Sequence, residues 1–197
     1  MYATQGQPGG ARQHYAQALK LAGPEEQARV EIALGALARQ AGHHAAAELH
    51  YRRAMDLARQ IGHVLYRATT EQELGYLHYY QGRLDDAQQH FGAAQALYRQ
   101  LDYQPGLAQS LHALGNVALA RFTQAEQGRG EAAGAAGALA EAAQAYGGAL
   151  AINQGRGIVV NVAYNQYQLA VVARASGQLS PAACSGPPAA ARPPRRQ

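Results

Sequence analysis

A period of forty residues runs through this chain. The dipeptide Leu34-Gly35 recurs as Leu74-Gly75 and again as Leu114-Gly115. Behind the first copy stand Gly42, Ala47, Tyr51 and Ala54, and behind the second Gly82, Ala87, Phe91 and Ala94, each displaced by forty. The third copy breaks off near Arg121 and resumes at Leu139, where Ala142, Tyr146 and Ala149 fit the same template after fifteen extra residues. Leu169-Ala170 then stands fifty-five residues after Leu114-Gly115, so the insertion is registered twice. A period of this length marks a supersecondary unit that cannot bury its apolar face alone and must stack on its neighbours.

Each unit reads as two helices. Leu34, Leu37 and Ala38 fall at i, i+3 and i+4 and form an apolar stripe. Gly35, Gly75 and Gly115 present bare backbone to a neighbouring helix, and Gly42, Gly82 and Gly177 suit a left-handed C-cap. The second helix carries Ala, an aromatic and Ala at i, i+4 and i+7. Eight helices are expected, beginning near Ala11, with Leu34, Leu74, Leu114 and Leu169 buried and Tyr51, Phe91 and Tyr146 packed between hairpins. The expected units are a second helix alone in 1–22, full repeats at 23–62, 63–102 and 103–157, a first helix at 158–182, and a disordered Pro/Arg-rich tail at 183–197. The third repeat holds a Gly/Ala-rich insertion at about 122–138, read as a flexible loop or a weak helical extension. The chain thus begins and ends mid-repeat, which also fits a fragment of a longer protein.

Leu-Gly in one helix, followed by Gly, Ala, Tyr or Phe, and Ala, resembles the tetratricopeptide repeat over about residues 11–182. The forty-residue period resembles the long form found in bacterial signal-responsive regulators and in adaptors. The resemblance implies an all-α, right-handed solenoid of antiparallel helix hairpins, three full repeats with a half repeat at each end. It also implies a non-catalytic module that binds a protein or peptide in its concave groove, as the sensor or adaptor part of a regulator. The aromatic usual early in the first helix is replaced by Glu31, Glu71 and Leu111. The places of the family's two-carboxylate clamp carry Ile32, Ala36, Glu73, Gln109 and Ala113, none of them the clamp residue, which argues against a chaperone-tail ligand.

Composition narrows the function classes. The net charge is +4, but Arg192, Arg195 and Arg196 lie in the last six residues, so the body is nearly neutral and lacks the basic stripe of a nucleic-acid binder. No run of eighteen apolar residues occurs, and the start MYATQGQPGG has neither the basic nor the apolar region of a secretory signal. A single cysteine, Cys184, fits a reducing compartment, hence a cytoplasmic protein. His14, His50 and His90 echo one another at positions that successive hairpins would hold too far apart for one metal ion. The pairs Glu25-Glu26 and Asp85-Asp86 suit helix starts. Neither a nucleophile elbow nor a phosphate loop nor a metal motif is present, so no enzyme activity, metal or cofactor is expected.

The remaining signal is the exposed stripe of the first helices: Arg29 and Arg39, then Gln72, Tyr76, Tyr79 and Tyr80, then Gln109, His112 and Asn116, and finally Tyr164, Tyr167 and Arg174. Tyr and Arg are enriched where protein interfaces concentrate affinity, and Asn and Gln can satisfy a peptide backbone. These twelve residues are the expected peptide-binding surface, with Tyr76 and Tyr80 open to the rival reading of core packing. Two other functions fit the same pattern: a fragment that self-associates through uncapped ends without an autonomous role, and an RNA-binding helical repeat.

Overall fold

The computed structural model describes residues 22–129 and 134–177. They form seven α-helices and no strand: α1 Pro24–Gln40, α2 His44–Gln60, α3 Val64–Tyr80, α4 Leu84–Gln100, α5 Gln104–Glu126, α6 Ala135–Gly155 and α7 Val159–Ala175. The helix expected near Ala11 and the tail, with Cys184, lie outside the described residues. Local chemistry marks several helix starts. Pro24 opens α1 with Glu25 and Glu26 in its first turn, and Asp85 and Asp86 occupy the first turn of α4, where carboxylates meet the positive end of the helix dipole.

The short turns explain how the hairpins close. Gly42 has φ 74°, and the amides of Gly42 and His43 return to the carbonyls of Arg39 and Ala38, at 3.0 and 2.9 Å. This pairing satisfies carbonyls that the end of α1 would leave open. At the turn between α4 and α5 the left-handed position falls to Asp102, with φ 48°, one of the few non-glycine types that tolerate it.

Inside each hairpin an aromatic ring lies on a glycine. A Cβ on Gly75 would come 2.6 Å from the Phe91 ring, and one on Gly115 would come 2.6 Å from the Tyr146 ring; Gly35 meets Tyr51 in the same way. The three rings are buried, at 0–1% exposure. Each ring thus lies on the glycine of its own hairpin and also packs between hairpins, Phe91 against Ala113 and Val117 and Tyr146 against Val172. Tyr51 also joins Leu74 and Leu77 of the following unit, so the same side chain closes one unit and seats the next. Leu34 and Leu74 are buried, but Leu114 and Leu169 are half-buried, correcting the expectation that all four would be.

Consecutive helices pack in series, and in addition α1 touches α3 and α3 touches α5, whereas the second helices do not approach one another in that way. The result is an all-α solenoid whose first helices α1, α3 and α5 pack side by side to form one wall, which α7 joins through the contact of Asn165 with His112. The described residues of the insertion are mostly helical: α5 continues to Glu126, well past Ala120, which echoes the end of α3 at Tyr80, and α6 begins at Ala135. Phe122 and Leu119 hold the extension by packing on the buried cluster around Leu139 and Tyr146.

Candidate functional site

The inner wall divides into two linked clusters. In the first, Glu73 on α3 organises its neighbours. Its Oε2 accepts from Arg39 Nη2 at 3.1 Å and from the Tyr51 hydroxyl at 2.9 Å. Arg39 is thereby fixed with its guanidinium 5.7 Å from the centre of the Tyr76 ring and 5.5 Å from that of Tyr80. Such cation–π contacts add to the ion pair and hold the rings in place. Burial alone would lower the Arg39 pKa, but Tyr51 and Glu73 more than offset it and the value is raised. Tyr76 is pushed up to about 12, first by burial and then by Glu73. Its ring meets the edge of Phe91 at 5.0 Å. Tyr79 and Tyr80 meet edge to face at 5.6 Å, and Tyr80 remains 62% exposed.

The second cluster joins α5 to α7. His112 Nδ1 donates to Asn165 Oδ1 at 2.7 Å, and the imidazole lies 4.9 Å from the ring of Tyr164 and 5.3 Å from that of Tyr146. Burial holds His112 below the ordinary histidine pKa, against the opposing effect of Asn165. Asn116 accepts the Tyr146 hydroxyl at 2.7 Å. Between the clusters, Gln72 donates to Gln109 at 3.1 Å and accepts from Ser110 at 3.4 Å. A pocket of about 220 Å³ with a mixed polar and apolar lining opens where α3, α5, α6 and α7 meet, bounded by Tyr76, Gln109, His112, Asn153, Tyr164 and Asn165 among others. A larger hollow of about 600 Å³ sits elsewhere, beside the helical extension, flanked by the Arg121–Asp85 pair.

The expected surface residues fall into three groups. Arg39, Tyr79, Tyr80, Gln109, His112 and Tyr164 stand together on the inner wall with some surface free. Gln72 is buried and committed to Gln109 and Ser110, Tyr76 is half-buried against Phe91, and the Asn116 carbonyl is taken by Tyr146; these three shape the wall more than they offer contacts. Arg29, Tyr167 and Arg174 are exposed, and no hydrogen bond, ion pair or ring contact ties them to either cluster.

Other polar residues on the wall were not singled out by the sequence reading. Glu73 is one, and Asn153 and Asn165 are two more. A further pair of contacts repeats exactly with the period: His50 Nδ1 meets Glu31 Oε2 at 2.6 Å and His90 Nδ1 meets Glu71 Oε2 at 2.7 Å. The glutamates that replace the early aromatic are thus the partners of the echoed histidines. Constant separation on two antiparallel helices was the available signal. In the third unit Leu111 takes the glutamate's place and lies against Gly148. Among the described residues no group of three or more His, Cys, Asp or Glu could hold a metal ion, and no helix is long and apolar enough to cross a membrane.

Comparison with known proteins gives the same fold. Residues 66–127 match the family model of the tetratricopeptide repeat. No curated protein sequence matches the chain. Among solved structures, the crystal structure of BtubC (BKLC) from P. vanneervenii superposes with a TM-score of 0.52 at 16% identity, covering 96% of this chain and 82% of that one.

Proposed function

We propose that this tetratricopeptide-repeat protein is a non-catalytic, cytoplasmic module that holds a peptide segment or helix of a protein partner along its inner wall. Repeats of this family generally serve protein interaction, which supports the class of function. The observation that carries the reading is the preorganised aromatic row. Arg39, fixed by Glu73, braces Tyr76 and Tyr80, and Tyr79 and Tyr164 continue the row toward α7. Rigid tyrosines lose little side-chain freedom on binding, and their faces can take apolar groups while their hydroxyls remain hydrated. The finer form of the reading, a sensor or adaptor segment of a larger bacterial regulator, rests on the forty-residue period, which resembles the repeats of such regulators.

The test is selection from a displayed library of random dodecapeptides. Selected peptides should bind the wild type and lose at least tenfold in affinity to Tyr80→Ala, whose melting temperature should be unchanged because the ring is exposed, and to Tyr79→Ala, which should stay folded at a lower melting temperature because that ring packs on the Phe91 cluster. Peptides indifferent to both substitutions would place binding elsewhere. Moderate salt should be tolerated, because an RNA ligand would instead lose affinity steeply by counterion release.

A second reading, self-association, is favoured by α7, where Val159 and Val160 are 77% and 78% exposed and Tyr167 64%. An apolar helix face of this kind suits a second copy of the chain.

A further inference from the structure

The tyrosine row offers more hydrogen-bond donors than acceptors. Gln109 Oε1 is taken by Gln72 and Asn116 Oδ1 by the Tyr146 hydroxyl, so each carboxamide is left with its N–H groups. Both nitrogens donate to no described residue, and neither is closed off from solvent. The Tyr164 oxygen accepts from Gln168 at 3.5 Å, which leaves its O–H, and the residue is 51% exposed. Burial first, then Tyr80 and Tyr164, raises the Tyr79 pKa, so the phenols of α3 and α7 lie near one another. The charged pair of the row, Arg39 and Glu73, is closed on itself at 3.1 Å.

A surface of this kind selects a backbone that brings acceptors and few donors. Each proline contributes a carbonyl and no N–H, and its compact apolar ring packs on the face of a tyrosine. Proline-rich segments also favour the polyproline II form before binding, so they lose little freedom in an aromatic groove, and their carbonyls stay open to donors. Most charged side chains gain less, because Arg39 and Glu73 already neutralise each other. Arginine is the exception. Arg39 itself lies 5.5 Å from the centre of the Tyr80 ring, which shows how a guanidinium packs on this row.

The chain carries such a segment, since residues 186–197 read GPPAAARPPRRQ. Pro187-Pro188 and Pro193-Pro194 stand six residues apart, two turns of a polyproline II helix, so both pairs fall on one face of it, about 19 Å apart at about 3.1 Å per residue. Arg192 and Arg195 flank the second pair. Position favours the same segment. α7 ends at Ala175, the place in the repeat that Tyr80 holds at the end of α3, so the chain leaves the solenoid at the edge where Tyr79 and Tyr80 stand. The ten residues that follow Gly177 reach up to about 33 Å. Two steps between neighbouring first helices, from α7 to α3, take roughly 16–20 Å.

We propose that the tyrosine row recognises proline-rich segments and that, in the unliganded chain, the chain's own residues 187–195 hold it. The proposal rests on the peptide-binding reading of the wall and names the ligand class. The tail is then an internal competitor that the proline-rich segment of a partner must displace.

The test uses the full chain. Cys184, its sole cysteine, stands three residues before the first proline pair and takes a nitroxide spin label. The NMR amide signals of Tyr80 and Gln109 should broaden, and those of Arg52 and Ala96 on the second helices should not. Pro187→Ser, Pro188→Ser, Pro193→Ser and Pro194→Ser together should restore the two broadened signals. When spin-labelled chain is mixed with isotope-labelled chain that lacks the nitroxide, no broadening is expected, because the contact lies within one chain. In a second arm, a fluorescent peptide of residues 186–197 should bind the fourfold proline variant at least tenfold more tightly than the wild type, whose own tail competes at an effective concentration of about millimolar. The same peptide carrying those four substitutions should lose at least tenfold in affinity. Broadening unchanged in the variant, broadening only between chains, or peptide binding indifferent to the prolines would overturn the proposal. A library-selected peptide that binds the row while the tail peptide does not would also sink it and leave the wall standing, whereas failure of both peptides would remove the wall itself.

Discussion

At the scale of single residues, the contact between a ring and a bare helix backbone sets the spacing inside each hairpin. Phe91 rests on Gly75 with Tyr76 against its edge, so a methyl group at Gly75 has nowhere to go. Gly75→Ala should destabilise by about 1–3 kcal/mol through overpacking, less whatever the better helix propensity of alanine returns. Gly92 on α4 is the matched control, since a Cβ there meets nothing within 4 Å. Gly92→Ala should stabilise by roughly 0.5–1 kcal/mol, the usual gain for alanine in a helix interior. Denaturant titration of the two variants checks both signs. Phe91→Ala, which empties a site 1% exposed, should cost about 3–5 kcal/mol; a loss under about 0.5 kcal/mol would mean that the ring does not seat the hairpin.

At the scale of helices, the polar contacts between units carry a dependence on pH. Burial first, then Arg83 and the stacked ring of His90, holds His78 below the ordinary histidine pKa, and burial does the same to His112. Both bind their proton more readily in the unfolded chain, near the ordinary value of about 6.5. Their stabilising contribution is thus complete above that pH and declines as pH falls through the interval below it. His112→Gln should therefore lose less melting temperature between pH 7.5 and 5.5 than the wild type loses; an equal loss would show that His112 is not held neutral. The helices themselves were legible in the sequence because Leu-Gly and the following aromatic are two halves of one contact, and both must recur together. The burial of Gln72 was not legible, because its position on α3 says nothing of how closely α5 approaches to bond it. The half-burial of Leu169 on α7 was hidden for a similar reason, as it depends on what packs beyond that helix. The helical state of the insertion turned on Leu119 and Phe122 finding the Leu139 cluster, which glycine and alanine content alone does not reveal.

At the scale of the whole molecule, stacking in series produces a wall and two ends. If the α7 face pairs with a second copy, light scattering at micromolar concentration should show a dimer or larger species, and Val159→Glu together with Val160→Glu should return it to monomer. A clean monomer of the wild type across that range would remove self-association. The wall is the central claim, and photo-crosslinking tests it most directly. A benzophenone amino acid is placed at Tyr80, exposed on the inner wall, and in separate samples at Arg52 on α2 and Ala96 on α4, exposed on second helices. With a library-selected peptide bound, crosslinks are expected from position 80 and not from positions 52 or 96. Crosslinks of equal yield at all three positions, or confined to positions 52 and 96, would contradict binding in the groove.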